Sequence, residues 1–162
     1  MSHQLSTGTL WEEIRMKGGA YGAFSHPDHL EGPFSFSSYR DPNPLRTLET
    51  FSSIIREPLR FEAMDKKVLD KAVIGTYSRE TRPRSPAEKG LADFFRFLYG
   101  IEDRHRSRRL KDIIAVSEDQ IDAAYRRLAS ETGHIWPVII AGKTEAEKAA
   151  IKLGVEVRNL PV

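Results

Sequence analysis

Apolar residues recur along this chain mostly at helical spacing, and the first such run ends in a pair of glycines. Leu10, Trp11 and Ile14 share one side of a helix that we place over residues 2–16. Gly18–Gly19 follow at once. One glycine suits the left-handed conformation that ends many helices, and the other lets the chain reverse close to a neighbour. The pattern therefore predicts a helix, a tight turn and a change of direction.

Strands are predicted on both sides of a proline-rich loop and again near the end of the chain. Tyr21–Ser25 forms the first strand, and Phe34–Tyr39 alternates phenylalanine with serine, as a strand with one buried face does. Residues 26–33 between them contain proline and glycine, which indicates a hairpin loop. Two short apolar runs, Ile135–Ala141 and Val155–Val157, predict two further strands.

Apolar stripes and capping signals predict six further helices. Three of their starts have serine or threonine followed three residues later by glutamate or glutamine, the pattern of a capping box. The six helices begin near Pro44, Asp65, Pro86, Asp103, Ser117 and Thr144. The stripes expected in the core include Leu45, Leu48, Phe51, Ile55 and Leu59 in the first of them, and Leu91, Phe94, Phe95 and Leu98 in the third.

These elements predict an α+β fold, an antiparallel sheet with helices packed on it, in a single domain over residues 1–162. The chain has no cysteine, which excludes disulfides and thiolate sites and fits a reducing compartment, either bacterial cytoplasm or an organelle matrix. No apolar run approaches the roughly 20 residues that a membrane span needs. The net charge of +2 is too small to indicate a nucleic-acid or membrane surface. We therefore expect a soluble protein with neither partner.

The basic run Arg104–Lys111 is the strongest candidate for nucleic-acid binding. It lacks the interleaved aromatic residues on which bases stack. Its helix carries Leu110, Ile113 and Ile114 on the opposite side. A solvated helix face is therefore the favoured interpretation of the run.

Metal and phosphate sites are poorly supported by the sequence. His26 and His29, with Glu31 nearby, form the only local histidine cluster, and a hairpin tip explains that loop better. Neither His-Glu-x-x-His nor His-x-x-Glu-His occurs, so we predict no metal site in this chain. Gly18–Gly19 lacks the spacing of a phosphate-binding loop and joins a helix to a strand, whereas phosphate binds at the start of a helix.

Arg15 and Tyr21 stand six residues apart across the predicted glycine turn. A guanidinium and a phenol held in this way would both point at one acceptor, such as a peptide carbonyl. The simpler interpretation makes Arg15 a solvated charge at a helix end and Tyr21 a half-buried strand residue. The residues by themselves favour the simpler interpretation and leave the other open.

Residues 10–22, in the order Leu-Trp-Glu-Glu-Ile-Arg-Met-Lys-Gly-Gly-Ala-Tyr-Gly, resemble part of a known enzyme family. The similarity is to the final domain of the presequence-protease branch of the pitrilysin and insulin-degrading superfamily of zinc metallopeptidases. It continues in register through residues 34–43, 72–76 and 97–101 and the arginine-rich helix, and covers most of residues 5–130.

The resemblance implies one part of a larger inverzincin. Such enzymes hold zinc at a His-x-x-Glu-His site in the first of four similar α+β domains, which close like a clam shell around an unfolded peptide. This chain would be the last domain, truncated at its N-terminus and inactive alone, with zinc in the parent enzyme. Its partners would be the peptide substrate and the missing N-terminal domains. The missing strands would leave a sheet edge and apolar surface exposed, which favours self-association.

The same resemblance assigns roles to the glycine turn. Arg15 and Tyr21 would bind the substrate backbone or the developing oxyanion opposite the zinc, and Gly18, Gly19 and Ala20 would line the path of the peptide. The superfamily also contains subunits without zinc, so a non-catalytic scaffold is the alternative function. Nucleic-acid binding through Arg104–Lys111 is the third.

Overall fold

A computed structural model describes residues 1–28, 30–56, 66–130 and 135–159 of the chain. These ranges contain seven α-helices, one π-helical segment and a two-stranded antiparallel sheet, which confirms the α+β class. None of the described helices is long and apolar enough to cross a membrane. The elements in chain order are α1 (Ser2–Thr7), the π-helical segment (Trp11–Met16), β1 (Gly22–Pro27), β2 (Phe34–Tyr39), α2 (Pro44–Arg56), α3 (Lys66–Thr81), α4 (Pro86–Leu98), α5 (Asp103–Ile114), α6 (Glu118–Ser130) and α7 (Lys143–Leu153).

The helix predicted over residues 2–16 is divided into α1 and the π-helical segment. Gly8 ends α1 with φ −105° and ψ −102°, outside the helical region. In the wider turn that follows, the amide of Lys17 donates to the carbonyl of Glu12, five residues back, at 3.0 Å. Leu10 and Ile14 are buried as predicted, whereas Trp11 is 42% exposed.

The sheet is a single hairpin, with β1 antiparallel to β2. Gly22 lies opposite Tyr39 at one end and Pro27 opposite Phe34 at the other. The second strand has its predicted bounds, and the first begins one residue later and ends two residues later than predicted. Helix α1 and the π-helical segment pack on β1, and α2 packs on β2 and on the π-helical segment.

The core lies where these elements meet α6. Phe36 of β2 stacks on Phe51 of α2 with ring centroids 5.1 Å apart. The Tyr125 hydroxyl of α6 donates to Gln4 Oε1 of α1 at 3.4 Å, although the two residues are 121 positions apart in the sequence. The buried apolar cluster consists of Leu5, Leu10, Ile14, Ala20, Ala23, Phe51, Ile54, Ile121 and Tyr125. The N-terminal helices and the hairpin are thus held together from both ends of the sequence.

Three serines fix α1 to β1. Ser25 is 1% exposed, and its amide donates to Ser6 Oγ at 2.9 Å. Its hydroxyl donates to the Ser2 carbonyl at 2.8 Å, and Ser2 Oγ donates back to the Ser25 carbonyl at 2.7 Å. A buried polar group must be hydrogen-bonded to be tolerated, so this cluster also sets how α1 lies on the strand.

Helix α3 meets α1 through a glycine. A Cβ atom on Gly75 would collide with the imidazole of His3, so a larger residue there would displace that side chain. Burial against α3, together with the charges of Arg79 and the N-terminus, lowers the pKa of His3. Gly75 is therefore explained by the close approach of the His3 side chain to α3.

The two late strand predictions are wrong. Ile135–Ala141 and Val155–Val157 do not form strands, and neither run pairs with β1 or β2. Both are open to solvent, with Trp136 80% and Val155 53% exposed. Apolar residues alone do not make a strand, because its backbone groups need a neighbouring strand, and none lies beside these runs in the described ranges.

Helix α4 begins as predicted but does not bury its apolar side. Ser85 Oγ accepts from the amide of Glu88 at 3.3 Å, and the Glu88 carboxylate accepts from the amide of Ser85 at 2.9 Å, which completes the capping box. A stripe shows which side of a helix is apolar, and not whether another element covers it. The predicted core residues Leu91, Phe94, Phe95 and Leu98 are between 47% and 59% exposed.

Other helix details differ by about one residue. The capping box of Ser117 and Gln120 is confirmed, but α7 has Gly142 as its N-cap and no box at Thr144. In α2 the residues fully buried are Thr47, Phe51 and Ile54, while Leu45, Leu48 and Ile55 are half-buried. Predictions for His29, Leu59 and Asp65 lie outside the described residues.

Candidate functional site

The glycine turn joins the π-helical segment to β1, and both glycines are needed there. Gly19 has φ +81°, the left-handed region in which a side chain is strained. Its amide donates to the Arg15 carbonyl at 3.0 Å, and that of Ala20 donates to the Ile14 carbonyl at 3.1 Å. A Cβ atom on Gly18 would collide with the Ile14 carbonyl oxygen. The predicted left-handed cap and close reversal are therefore both present.

Two side chains from the start of α2 hold this turn in place. Asn43 Nδ2 donates to the Gly18 carbonyl at 3.0 Å, and the Arg46 guanidinium donates to the Lys17 carbonyl at 3.0 Å. Carbonyl groups at the end of a helix lack partners within it, and these two donors satisfy them. Neither contact was predicted from the sequence, because the two contacts span more than twenty positions and leave no local signal.

Arg15 lies on the exposed side of the π-helical segment. Its guanidinium is 5.9 Å from the centroid of the Trp11 ring, a cation–π contact that limits where the side chain points. The nearby carboxylates of Glu12 and Glu13 bind Lys17 instead, at 3.0 and 2.6 Å, and these bonds raise the pKa of Lys17. Among the described residues, Arg15 has no carboxylate partner, so its donors face solvent.

Tyr21 lies at the other end of the turn, with 67% of its surface exposed. Its amide donates to the Tyr39 carbonyl at 3.1 Å, which ties its backbone to β2. The two tyrosine rings meet edge to face with centroids 6.0 Å apart. Within the described ranges the Tyr21 hydroxyl has no hydrogen-bond partner. Tyr21 is thus more exposed than the half-buried strand residue of the simpler interpretation.

Arg40 is a further residue at this site that sequence reasoning missed. Its guanidinium lies 5.9 Å from the Tyr21 ring centroid and 5.4 Å from that of Tyr39. Its φ is +48°, the only positive value among the described residues other than glycine. In the sequence Arg40 is one ordinary cation after a strand, and nothing local shows that its backbone would turn it toward the tyrosines.

The three residues predicted to line a peptide path differ in exposure. Gly19 is exposed, whereas Gly18 and Ala20 are buried. The amides of Gly19, Ala20 and Tyr21 already donate within the protein. Gly19 thus adds no side chain of its own at the centre of the turn, where Pro42 lies beside it. The side chains of Arg15 and Tyr21 flank the turn and carry hydrogen-bond donors.

The basic helix α5 carries its own counter-ions. Arg104 pairs with Glu102 at 3.0 Å, and Arg108 lies 3.8 Å from Asp112. Arg109 pairs with Glu80 of α3 at 2.8 Å. This arrangement agrees with the solvated face favoured above, and the absence of a nucleic-acid partner stays a prediction.

A metal centre is not assembled by the described part of the chain. No group of three or more histidine, cysteine, aspartate or glutamate side chains is placed there to hold an ion. The ring of His26 packs near Phe24, with centroids 5.9 Å apart. The zinc that the family resemblance implies thus finds no ligand set among these residues.

Comparison with known proteins identifies the family. The model of the PreP C-terminal domain matches residues 1–143. The chain is 38% identical over 117 residues to presequence protease 1, chloroplastic/mitochondrial, of Arabidopsis thaliana. The aligned region covers 72% of this chain and 11% of that protein. It is 37% identical over 117 residues to the mitochondrial presequence protease of Saccharomyces cerevisiae, covering 72% of this chain and 12% of the relative. It is 36% identical over 129 residues to the mitochondrial presequence protease of Danio rerio, covering 79% of this chain and 12% of the relative.

The matched region contains the whole site described above. The chain spans about a tenth of the length of these relatives. The family model covers the glycine turn, the hairpin and helices α2 to α6. The family model matches most of the chain, and each of these relatives shares more than a third of the residues aligned over about three quarters of it. This chain belongs to the PreP C-terminal domain family.

Proposed function

We propose that this chain is the C-terminal substrate-binding domain of a zinc metalloendopeptidase that degrades unfolded peptides. The observation that carries the proposal is the placement of Arg15 and Tyr21. Both are exposed at opposite ends of one glycine turn, and neither has an acceptor among the described residues. Exposed donors that no protein acceptor engages are available to a ligand, and no structural contact in the described ranges occupies them. Membership of a presequence-protease family makes a peptide the ligand to expect.

Arg15 and Tyr21 would act on the peptide through its carbonyl oxygen. The guanidinium and the phenol hydroxyl are both donors, and contacts with Trp11 and Tyr39 limit their conformations before substrate binds. A donor held ready for a developing oxyanion typically contributes about 3 kcal/mol to transition-state stabilisation. Zinc in the parent enzyme would supply the activated water.

The glycine turn would let the peptide backbone pass close to the protein. Gly19 adds no side chain to the surface between Arg15 and Tyr21. Gly18 and Ala20 lie beneath, and their role would be to keep the turn in shape for the peptide. Specificity for backbone rather than side chains follows, because the two donors recognise a group that every peptide carries.

The rest of the parent protease would cover the apolar surface that this chain leaves open. Phe94 of α4 is 56% exposed and Trp136 is 80% exposed. A groove of about 2190 Å³ runs between β2, α2 and residues 135–142. Surfaces of this size and character are typical of interfaces. Copies of the chain would associate through these surfaces when the other domains are missing.

The relatives are mitochondrial or chloroplastic by name, so an organelle matrix is the compartment we propose.

The test measures Arg15→Ala and Tyr21→Phe in the complete protease that contains this domain. Each should lower kcat/KM for a fluorogenic peptide by about a hundredfold or more, while zinc content stays at wild-type level. Arg104→Ala and Tyr99→Phe remove the same groups from exposed positions away from the turn and should leave kcat/KM unchanged. Wild-type kinetics in both site variants would leave the scaffold alternative as the function.

A further inference from the structure

A second cavity lies away from the glycine turn, between the hairpin loop and helices α3, α4 and α5. It has a volume of about 550 Å³ and is lined by four arginines, Arg84, Arg96, Arg106 and Arg109. We propose that this cavity, the arginine pocket, binds a small oxyanion that carries two or more phosphate or carboxylate groups. The inference does not depend on the peptidase function.

The balance of charge in the arginine pocket favours an anion. Only two acidic side chains, Asp28 and Glu80, line the cavity beside the four guanidiniums. Both are already engaged: Asp28 Oδ1 accepts from the amides of Leu30 and Glu31 at 2.8 and 3.0 Å. Glu80 accepts from Arg109 at 2.8 Å. The lining therefore carries more positive charge than its own carboxylates neutralise, and the partners of Arg96 and Arg106, Asp93 and Asp103, do not line the cavity.

Two of the guanidiniums are free or weakly held. Arg84 forms no ion pair with any described residue. Arg106 pairs with Asp103 at 3.0 Å, and the carboxylate side chain is 93% exposed. Exposed pairs of this kind contribute little, so a ligand can replace the carboxylate at small cost.

Arg109 adds an unsatisfied donor. Its Nη2 atom binds Glu80, but its Nε atom is buried and has no acceptor within the described part of the chain. A buried donor without an acceptor is costly, and an oxygen of a bound anion would satisfy it. Arginine suits this task because its planar fork matches phosphate and carboxylate oxygens.

The remaining lining of the pocket is mostly apolar, with His26 and Ser35 as its other polar residues. Leu30, Ile101 and Leu110 line it together with two prolines of the hairpin loop. Apolar neighbours lower the local dielectric beside the guanidiniums and so strengthen their attraction for an anion. The volume lies in the range of small-molecule sites, so the ligand is a compact di- or trianion.

Helix α5 supplies an internal control for the arginine pocket. Arg106 and Arg109 line the cavity, whereas Arg104 and Arg108 of the same helix do not. Their side chains are 74% and 84% exposed. Removing two cavity charges or two exterior charges therefore alters the net charge equally and tests the site rather than general attraction.

Isothermal titration of the 162-residue chain with pyrophosphate and with citrate, at constant ionic strength, tests the proposal. At least one should bind saturably at one site per chain, and which one binds shows whether phosphate or carboxylate is preferred. Arg84→Gln with Arg106→Gln should weaken binding about tenfold or more, and Arg104→Gln with Arg108→Gln should not change it. The single change Arg84→Gln, which breaks no ion pair in the described ranges, should weaken it as well. Binding of neither anion, or equal loss in both double variants, would overturn the proposal.

Discussion

Gly19 shows how one residue's backbone determines the shape of the candidate site. Its φ of +81° lets the chain leave the π-helical segment and enter β1 with Arg15 and Tyr21 at the two ends. The paired glycines and their helix-to-strand context were readable from the sequence because left-handed caps have a local signature. The Asn43 and Arg46 bonds that hold the turn, and the buried Ser25 cluster, were not readable because their partners are distant in the chain.

Gly19→Ala is expected to destabilise the chain by about 1–2 kcal/mol, the cost of a Cβ atom in the left-handed region. Gly90 is the matched control, since it lies inside α4 with open space around it. Gly90→Ala should raise the free energy of unfolding by about 1 kcal/mol, because alanine is the better helix residue. Urea denaturation measures both, and equal effects of the two changes would contradict the role assigned to Gly19.

His3 is expected to make the stability of the folded chain depend on pH. Its folded-state pKa is lowered from 6.5 by burial, by Arg79 and by the N-terminus, so the unfolded chain binds the proton more readily. The stabilising contribution is complete above pH 6.5 and is lost as the pH falls through the lower folded pKa. Urea unfolding between pH 7 and pH 5 should show this loss. In His3→Gln the new side chain does not titrate, so the free energy of unfolding should fall less steeply between pH 7 and pH 5. If it falls as steeply as in the wild type, His3 is excluded as the cause.

At the scale of elements, the apolar pattern located helices well and burial less well. The capping boxes at Ser85 and Ser117 predicted where α4 and α6 begin, and the structure contains both boxes. The same pattern could not show that α4 is left uncovered or that residues 135–141 lack a strand partner, because both depend on what else is present. A helix that is apolar on an exposed side is typical of a surface that meets another protein segment.

Helix α4 is therefore expected to control association rather than stability. Phe94→Ser with Leu98→Ser should reduce self-association in sedimentation experiments and change the free energy of unfolding by less than about 0.5 kcal/mol, as surface changes do. Ile54→Ala is the control for a buried position, since it is 0% exposed and should cost about 2–5 kcal/mol. A large loss of stability in the double variant would mean that α4 is buried in the chain's own core.

At the scale of the whole molecule, the proposed function would place the donors and the metal of the peptidase on different parts of the protein. This chain spans about a tenth of its relatives, and its sequence contains no His-x-x-Glu-His motif. The candidate site was therefore predictable only in part: the resemblance pointed to Arg15 and Tyr21, while Arg40 and the arginine pocket depend on the folded arrangement.

The chain alone is expected to hydrolyse no peptide, even with zinc added. In the proposed function Arg15 and Tyr21 would orient a carbonyl and would not activate water, and the described residues offer no ligand group that would hold a metal for that step. A fluorogenic unfolded peptide should therefore stay intact with the purified chain and be cleaved once the N-terminal domains of the protease are supplied. Peptide binding without cleavage, measured by fluorescence anisotropy and weakened by Arg15→Ala but not by Arg104→Ala, would show the domain acting as half of the site. Zinc-dependent turnover by the chain alone would contradict this division, because the catalytic centre would then have to lie within these 162 residues.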